Sequence, residues 1–391
     1  MRMRKRYLEP AIASVLPRKM VFVGGPRQVG KTTLALSLLG AGADESHPAY
    51  FNWDHPLAAA RLRRFELPPG EPLLVLDEIH KYARWRNLVK GIFDTEKSRR
   101  RILVTGSARL DYYRKGGDSL ANRYRYFRLH PFSLRELNPS PTKSDLDALL
   151  HFGGFPEPFL LQQDRELRIW QHDRVSRVVR EDLRDLEHVR EISLVEQLVE
   201  LLPSRVGSPL SIKSLREDLE VDHKTVERWL TVLENLYLCF RIAPFGAPNI
   251  RAVKKERKLY LWDWSMTPDG GARFENLVAS QLLKYCHFIE DTEGYRMELR
   301  FLRDTDKREV DFVVLKDGAP AFAVECKSGE RGLSPAMRYF SERTSIPRFY
   351  QVHLGDRHFE TGTMTVLPFR TFCRELGESS GSIRPALSRC R

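Results

Sequence analysis

The segment GGPRQVGKTT at residues 24–33 constrains this chain more than any other part of its sequence. It contains the pattern Gly-x4-Gly-Lys-Thr, with Gly25, Gly30, Lys31 and Thr32 at the fixed positions. Glycines let the backbone curl so that its N–H groups face phosphate oxygens, and the following helix presents its positive N-terminus to the same anion. An apolar run, MVFV, precedes the segment and a helical pattern follows it. The segment therefore predicts a P-loop between a strand and a helix.

The polar residues around this loop have predicted roles in holding a nucleoside triphosphate, which we expect to be ATP with Mg²⁺. Lys31 would reach the β- and γ-phosphates, and the Thr32 hydroxyl would bind Mg²⁺. The apolar run LLVL at 73–76 ends in an acidic pair. In this pair, Asp77 would hold the Mg²⁺ shell and Glu78 would orient or deprotonate the attacking water. Nucleotide contacts are predicted for Gly25, Pro26, Arg27, Gln28, Val29, Gly30, Lys31, Thr32, Thr33 and Asp77.

Two further residues are candidates for the same site. Ser107 follows the apolar run ILVTG and could sense the γ-phosphate, or it could simply cap a helix. Arg123 could neutralise the charge that develops during phosphoryl transfer, a role that an arginine of a neighbouring subunit often performs. Arg125 and Arg128 alternate along a strand and are expected to make surface or partner contacts. The Arg123 hypothesis predicts a homo-oligomer.

Changes of pattern divide the chain into four predicted domains, which makes it an α/β multidomain protein. Alternating strands and helices in 1–140 predict a parallel sheet covered by helices. A charged helical stretch forms a connector or lid at 141–205. Two helices followed by two strands at 206–268 have a winged-helix layout. A smaller α/β unit occupies 269–391.

The net charge of +12 and the isoelectric point near 9.5 favour a polyanionic partner. We expect nucleic acid, and DNA ahead of RNA, although solubility alone could explain the charge. A basic run at 251–258 lies where the wing would be and suits phosphate contacts. Winged helices in ATPases also serve as lids, so the run does not decide between these roles.

Other features argue against a membrane or a secreted location. No apolar run approaches the ~20 residues that a membrane span needs, and the N-terminus, MRMRKRYLEP, lacks the apolar stretch of a secretory signal. The five cysteines have no metal-ligand spacing. We therefore expect a cytoplasmic protein without membrane contacts or a disulfide framework.

Together these motifs resemble prokaryotic AAA-type ATPases that carry a C-terminal DUF4143 domain. The motifs that carry the resemblance are GPRQVGKTTL at 25–34, LDEI at 76–79, GS at 106–107, LANR at 120–123, HPFSLREL at 130–137, GGFPE at 153–157, KLYLWD at 258–263, FE at 274–275, EVDFV at 309–313 and VECK at 324–327. The resemblance implies an ATPase core, a winged-helix segment and a nuclease-like C-terminal fold. The chain departs from the family at Asn122, where glycine is usual, and at 264–266, where a small residue and Gly-Leu are usual.

Four residues of the C-terminal unit form a candidate nuclease site. Glu325 and Lys327 share one face of a strand, because strand residues alternate faces, and a hairpin centred on Gly318 places Asp311 opposite Glu325. Glu275 could add a third carboxylate. This is the arrangement of PD-(D/E)xK nucleases, in which Glu275, Asp311 and Glu325 would bind a second Mg²⁺ or Mn²⁺ and Lys327 would position water. A surface ion pair is the alternative for Glu325 and Lys327.

The sequence therefore predicts Mg²⁺-dependent ATP hydrolysis and leaves three larger roles open. In the first, ATP hydrolysis controls a nuclease that acts on DNA. In the second, the protein is an ATP-dependent switch whose nuclease-like domain is an inactive binding module. In the third, it is a signalling ATPase that contacts no nucleic acid.

Overall fold

The structure is a computed structural model that describes residues 5–107, 120, 122–182, 191–246 and 256–376. The chain divides into two compact units, Met1–His130 and Pro131–Arg391. Within the described ranges, no helix combines the length and the apolar character that a membrane crossing requires.

The first unit is built on a parallel five-stranded sheet with the strand order β2-β3-β4-β1-β5. The strands are β1 (Met20–Gly24), β2 (Tyr50–Asn52), β3 (Leu73–Asp77), β4 (Arg101–Thr105) and β5 (Tyr124–Arg128). The helices are α1 (Glu9–Val15), α2 (Lys31–Leu39), α3 (Pro56–Arg63) and α4 (Trp85–Glu96). Strands β1 and β3 are buried at every position, as continuous apolar runs in a sheet covered on both faces require.

The second unit contains a mixed eight-stranded sheet with the strand order β12-β13-β11-β10-β9-β8-β6-β7. Its strands are β6 (Cys239–Pro244), β7 (Lys258–Leu261), β8 (Met297–Arg303), β9 (Glu309–Lys316), β10 (Ala319–Lys327), β11 (Phe349–His353), β12 (Phe359–Thr361) and β13 (Met364–Pro368). The sequence patterns had not indicated β12, β13 or the helix that follows them.

Helices of the second unit lie before, between and after these strands in the chain. They are α5 (Leu134–Leu137), α6 (Lys143–Phe152), α7 (Pro156–Leu161), α8 (Asp164–Arg177), α9 (Ile192–Leu201), α10 (Ile212–Leu219), α11 (His223–Asn235), α12 (Gly270–Glu293), α13 (Pro335–Ser341) and α14 (Phe369–Glu375). The long helix α12 begins at the N-cap Asp269, which accepts a hydrogen bond from the N–H of Ala272, and ends at Gly294 in the left-handed conformation.

The hairpin that we predict as a wing is part of the large sheet. Strands β6 and β7 pair antiparallel, with Cys239 opposite Leu261, and β6 also pairs parallel with β8, with Ala243 opposite Arg300. The predicted boundary at residue 268 therefore runs through one continuous sheet. The hairpin positions Lys258, at the start of β7, beside the strands of the C-terminal segment.

The β9–β10 hairpin acquires its register in two steps. Asp317 and Gly318 both have positive φ, as a tight two-residue turn requires, and Lys316 pairs with Ala319. A bulge between Pro320 and Phe322 then shifts the register by one residue, so that Phe312 pairs with Val324. The next pair in this register is Asp311 and Glu325. Without the bulge, Asp311 would lie opposite Val324.

Candidate functional site

The P-loop connects β1 to α2, and its backbone depends on two glycines. Gly30 is the N-cap of α2 with φ of 94°, a left-handed conformation that glycine adopts without strain. Gly25 has φ of 143°, and a Cβ atom there would lie 2.4 Å from the carbonyl oxygen of Leu129. Any side chain at residue 25 would therefore push the loop away from the end of β5.

The Lys31 side chain is buried against the loop that precedes it. Its ammonium group donates hydrogen bonds to the carbonyl oxygens of Gly25 (3.1 Å) and Pro26 (2.7 Å). Phosphate oxygens would compete successfully with these neutral carbonyls, because hydrogen bonds between charged partners are the stronger ones. The geometry thus suits a lysine that exchanges its own loop for a bound phosphate.

Asp77 lies at the carboxyl end of β3, 2% exposed, and accepts hydrogen bonds from three neutral hydroxyl groups. The hydroxyls of Thr32 (2.8 Å) and Tyr50 (2.7 Å) donate to Oδ2, and that of Thr105 (2.5 Å) donates to Oδ1. Burial and the charge of Asp77 raise the pKa of Tyr50, which keeps its hydroxyl a donor at neutral pH. Carboxylate and hydroxyl oxygens are the hard donors that Mg²⁺ prefers, so Thr32 and Asp77 fit this cation.

Glu78 follows Asp77 in a left-handed backbone conformation with φ of 54°. Such a conformation is strained for a residue with a side chain, by roughly 1 kcal/mol or more, and the N–H of Glu78 anchors it to the carbonyl oxygen of Thr105 (3.0 Å). Burial raises the pKa of Glu78, and the charge of Asp77 adds to the effect while that of Lys31 opposes it. A raised pKa brings a carboxylate closer to the range in which it serves as a general base.

The second candidate site lies in the sheet of the C-terminal unit, where the four predicted residues do come together. The Lys327 ammonium donates to Oε1 of Glu325 (2.6 Å), and the N–H of Cys326 donates to Oδ2 of Asp311 (2.8 Å). Burial and the charge of Asp311 raise the pKa of Glu275 to about 7 and that of Glu325 to about 8.

A fifth residue, Lys258, changes the chemistry of this cluster. Its side chain is 0% exposed, and its ammonium group lies 3.1 Å from Oε1 of Glu275, 3.5 Å from Oδ1 of Asp311, and in contact with Oε1 of Glu309. Burial alone would lower the pKa of Lys258, but the three carboxylates outweigh it and raise this pKa. From the sequence, Lys258 belonged to an exposed basic run, and the structure corrects that interpretation.

The predicted second metal site is not supported. Among the residues that the structure describes, no group of three His, Cys, Asp or Glu side chains is arranged to hold a metal ion. At Glu275 and Asp311 the physical reason is that the Lys258 ammonium already lies against both carboxylates, while Glu325 pairs with Lys327. Of the predicted basic wing, residues 251–255 lie outside the described residues.

Comparison with known families assigns the parts of the chain. Residues 17–138 match the model of an AAA domain, residues 143–268 that of a domain of unknown function (DUF8612), and residues 270–372 that of a domain of unknown function (DUF4143). Residues 17–138 therefore form an AAA domain. It contains the P-loop, Asp77 and Glu78, and the DUF4143 domain contains Glu275, Asp311 and Glu325.

Similar proteins span most of the chain at low identity. The uncharacterized protein Rv2008c of Mycobacterium tuberculosis is 24% identical over 368 residues, which cover 89% of this chain and 80% of that protein. The uncharacterized protein MJ1637 of Methanocaldococcus jannaschii is 22% identical over 417 residues, covering 91% and 84%. Among solved structures, the Thermotoga maritima RuvB Holliday junction branch migration motor has a TM-score of 0.30 at 17% identity, covering 60% of this chain and 87% of that one. The Aeropyrum pernix Orc1 protein in complex with DNA has a TM-score of 0.32 at 17% identity, covering 72% and 94%.

Within the AAA domain, the two remaining candidates have different surroundings. Ser107 is buried beyond the end of β4, whereas the residue of this segment that contacts Asp77 is Thr105. Arg123 pairs with Asp94 of α4, with Nε 3.1 Å from Oδ1, and its side chain is one third exposed. The preceding Asn122 has φ of 65°. Asparagine tolerates this left-handed conformation better than most residues, which explains how it replaces the usual glycine.

Three residues around the P-loop site were missed from the sequence. Thr105 and Tyr50 lie on the strands that flank β3, with Thr105 directly opposite Asp77, so the strand order was the signal that could have revealed them. Arg6 is buried and donates to the carbonyl oxygens of Val29 (2.7 Å) and His130 (2.6 Å). It ties the P-loop to the segment after β5, and no motif marks it.

Proposed function

We propose that this protein is a Mg²⁺-dependent ATP hydrolase that acts in the cytoplasm through its AAA domain. The observation that carries the proposal is the 2.8 Å hydrogen bond from the Thr32 hydroxyl to Asp77, which joins the P-loop to the end of β3. These two side chains come from separate sequence motifs, 45 residues apart, and their contact supplies the oxygen ligands that a nucleotide-bound Mg²⁺ requires.

Each residue has a defined part in this proposal. The residues from Gly25 to Thr33 cradle the phosphates, and Lys31 moves from its loop carbonyls to the phosphate oxygens. Thr32 and Asp77 hold Mg²⁺, which when bound neutralises charge on the transferred phosphoryl group. Glu78 orients the attacking water and accepts its proton, while Thr105, with Tyr50, keeps the Asp77 carboxylate in place.

The test is phosphate release by the purified full-length protein, with ATP and with or without Mg²⁺. Lys31→Ala is expected to remove nucleotide binding, and Glu78→Gln is expected to keep binding but stop hydrolysis. Lys97→Ala is a matched control, because Lys97 is an exposed lysine of the same domain. Wild-type protein that releases no phosphate, or a Lys31→Ala variant that keeps the wild-type rate, would contradict the proposal.

We propose further that the enzyme is a homo-oligomer and an ATP-dependent switch whose DUF4143 domain binds nucleic acid, DNA ahead of RNA, without cutting it. The net charge of +12 supports a polyanionic partner. Arg123 would act across the subunit interface, and mass measurement in solution with ATP, on wild-type and Arg123→Ala protein, tests the assembly. A single protomer mass under all conditions would refute this part.

The competing role is an ATP-regulated nuclease that uses Glu275, Asp311, Glu325 and Lys327. Binding and cleavage of DNA and RNA should be measured together, over a range of salt concentrations and with Mg²⁺ or Mn²⁺. If the protein is a switch, it binds the nucleic acid in a salt-sensitive manner and leaves the nucleic acid uncut. Cleavage that disappears in Asp311→Ala and Glu325→Ala would establish the nuclease instead. The absence of salt-sensitive binding to nucleic acid would instead support the third role, a signalling ATPase that contacts no nucleic acid.

A further inference from the structure

The Lys258 ammonium is enclosed by carboxylates from two different elements. Glu275 lies on α12, and Glu309 and Asp311 lie on β9, whereas Lys258 itself begins β7. An ammonium group has three N–H donors, and the three carboxylates provide one acceptor oxygen each. The aromatic ring of Phe301, with its centroid 5.8 Å from the ammonium nitrogen, closes a further side. The cation is therefore fully enclosed by protein.

The second oxygens of Asp311 and Glu309 are also engaged. Oδ2 of Asp311 accepts from the N–H of Cys326, and Oε2 of Glu309 pairs with Arg303 at 2.9 Å. Oε1 of Glu275, which faces Lys258, also accepts from the Tyr260 hydroxyl (2.7 Å). A divalent metal among these carboxylates would need its oxygens at ~2.1 Å in octahedral geometry, which is impossible while an ammonium nitrogen fills the same space.

We propose that Lys258 is a built-in cation that takes the place of a divalent metal in the DUF4143 domain. The acidic side chains of Glu275, Glu309 and Asp311 then form a permanent, metal-free ion cluster. The cluster joins the β6–β7 hairpin to α12 and β9, and it takes Glu275 and Asp311 out of the set of ligands that a metal for phosphodiester cleavage would need. The inference concerns the second unit alone and does not depend on ATP hydrolysis.

This arrangement differs from an ordinary surface ion pair. A surface lysine keeps its charge in water and contributes little, whereas a fully buried ammonium must recover its lost hydration from its neighbours. Here the neighbours are three carboxyl groups, whose ionised forms would repel one another strongly if the lysine were removed. The acidic cluster therefore requires a cation, and the chain itself supplies it.

The experiment measures the melting temperature of the full-length protein with and without Mn²⁺, in the absence of nucleotide. Every variant carries Asp77→Asn, so that the P-loop site does not contribute. With Lys258 present, Mn²⁺ is expected to cause no stabilisation. In Lys258→Met, saturating Mn²⁺ is expected to raise the melting temperature by about 5 °C, because the metal replaces the missing ammonium.

Two further variants define where the metal binds. Adding Asp311→Asn to Lys258→Met is expected to abolish the effect of Mn²⁺. Lys284→Met is the matched control, since Lys284 is also a buried lysine of this unit and pairs with Glu136. This change leaves Lys258 and its carboxylates in place, so we expect no stabilisation by Mn²⁺.

The outcomes that overturn the proposal are equally definite. Stabilisation of the Lys258-containing protein by Mn²⁺, lost on Asp311→Asn, would show a working metal site. A folded Lys258→Met variant that binds no Mn²⁺ would show that the lysine does not replace a metal. If Lys258→Met does not fold, the electron paramagnetic resonance signal of free Mn²⁺ is measured in the presence of the protein that retains Lys258. We expect this signal to persist, because the protein binds no Mn²⁺. A decrease in the signal that Asp311→Asn reverses would overturn the proposal.

Discussion

Asp77 in the AAA domain and Asp311 in the DUF4143 domain are both buried carboxylates, yet their surroundings are opposite. Asp77 accepts hydrogen bonds from neutral hydroxyl groups, so its negative charge is oriented but not neutralised. Asp311 shares the Lys258 ammonium with Glu275 and Glu309, so its charge already has a cation. The comparison teaches that a buried carboxylate identifies a cation site only when the neighbouring charges are known.

The largest expected effect tests the AAA domain side of this comparison. Glu78→Gln should lower kcat for ATP hydrolysis by about 10³-fold, because it removes the proposed general base while keeping the size of the side chain. Steady-state phosphate release measures kcat, and a fluorescent ATP analogue measures binding, which should stay within a few-fold of wild type. Similar kcat values for both proteins would show that Glu78 is not the base.

The second largest expected effect tests the ion cluster around Lys258 in the DUF4143 domain. Lys258→Met should lower the free energy of unfolding by about 3 kcal/mol, because removing one partner of a buried ion pair leaves uncompensated charge. Urea unfolding measures the loss. Lys213→Met removes an exposed lysine and should stay within ~0.5 kcal/mol of wild type. Equal stability of the Lys258→Met and Lys213→Met proteins would mean that the buried cluster tolerates the loss of its cation.

A smaller effect distinguishes Thr105, which contacts Asp77 in the structure, from Ser107, which the sequence suggested as the sensor of the γ-phosphate. Thr105→Val removes the hydroxyl that donates to Asp77 and should lower kcat/KM for ATP about 5-fold, as the loss of ~1 kcal/mol predicts. Ser107→Ala should have a smaller effect, because Thr105 makes the contact. Kinetics of both variants at several Mg²⁺ concentrations provide the check. If Ser107→Ala is the more damaging change, the sensor role belongs to Ser107.

The last expected effect is a difference in pH dependence. The pKa of Glu325 is about 8 in the folded protein against an ordinary value of 4.5, so the folded state binds the proton more tightly. Its contribution to stability is complete below pH 4.5 and is lost as the pH rises to about 8. Glu325→Gln cannot ionise, so its stability should fall less than that of wild type across this window. Parallel unfolding curves from pH 5 to pH 8 would exclude the raised pKa.

Features that a local stretch of sequence determines were predicted correctly, whereas features that depend on contacts between distant residues were missed. The P-loop and strands β1, β3 and β4 were predictable, because a motif or a continuous apolar run marks each of them locally. Strands β12 and β13 are short and carry no such signal. Thr105 was missed in favour of Ser107, because the choice depends on which residue of β4 lies opposite Asp77 in the parallel register.

The sequence by itself determined the phosphate-binding loop, the acidic pair after β3 and the candidate carboxylates of the C-terminal unit. Tertiary structure alone decided how those carboxylates are used. The continuation of the β6–β7 hairpin into the large sheet brings Lys258 among the acids. Lys258 and Asp311 are 53 residues apart in the chain, and only strand pairing determines that a lysine from a basic run becomes the buried cation of an acidic cluster.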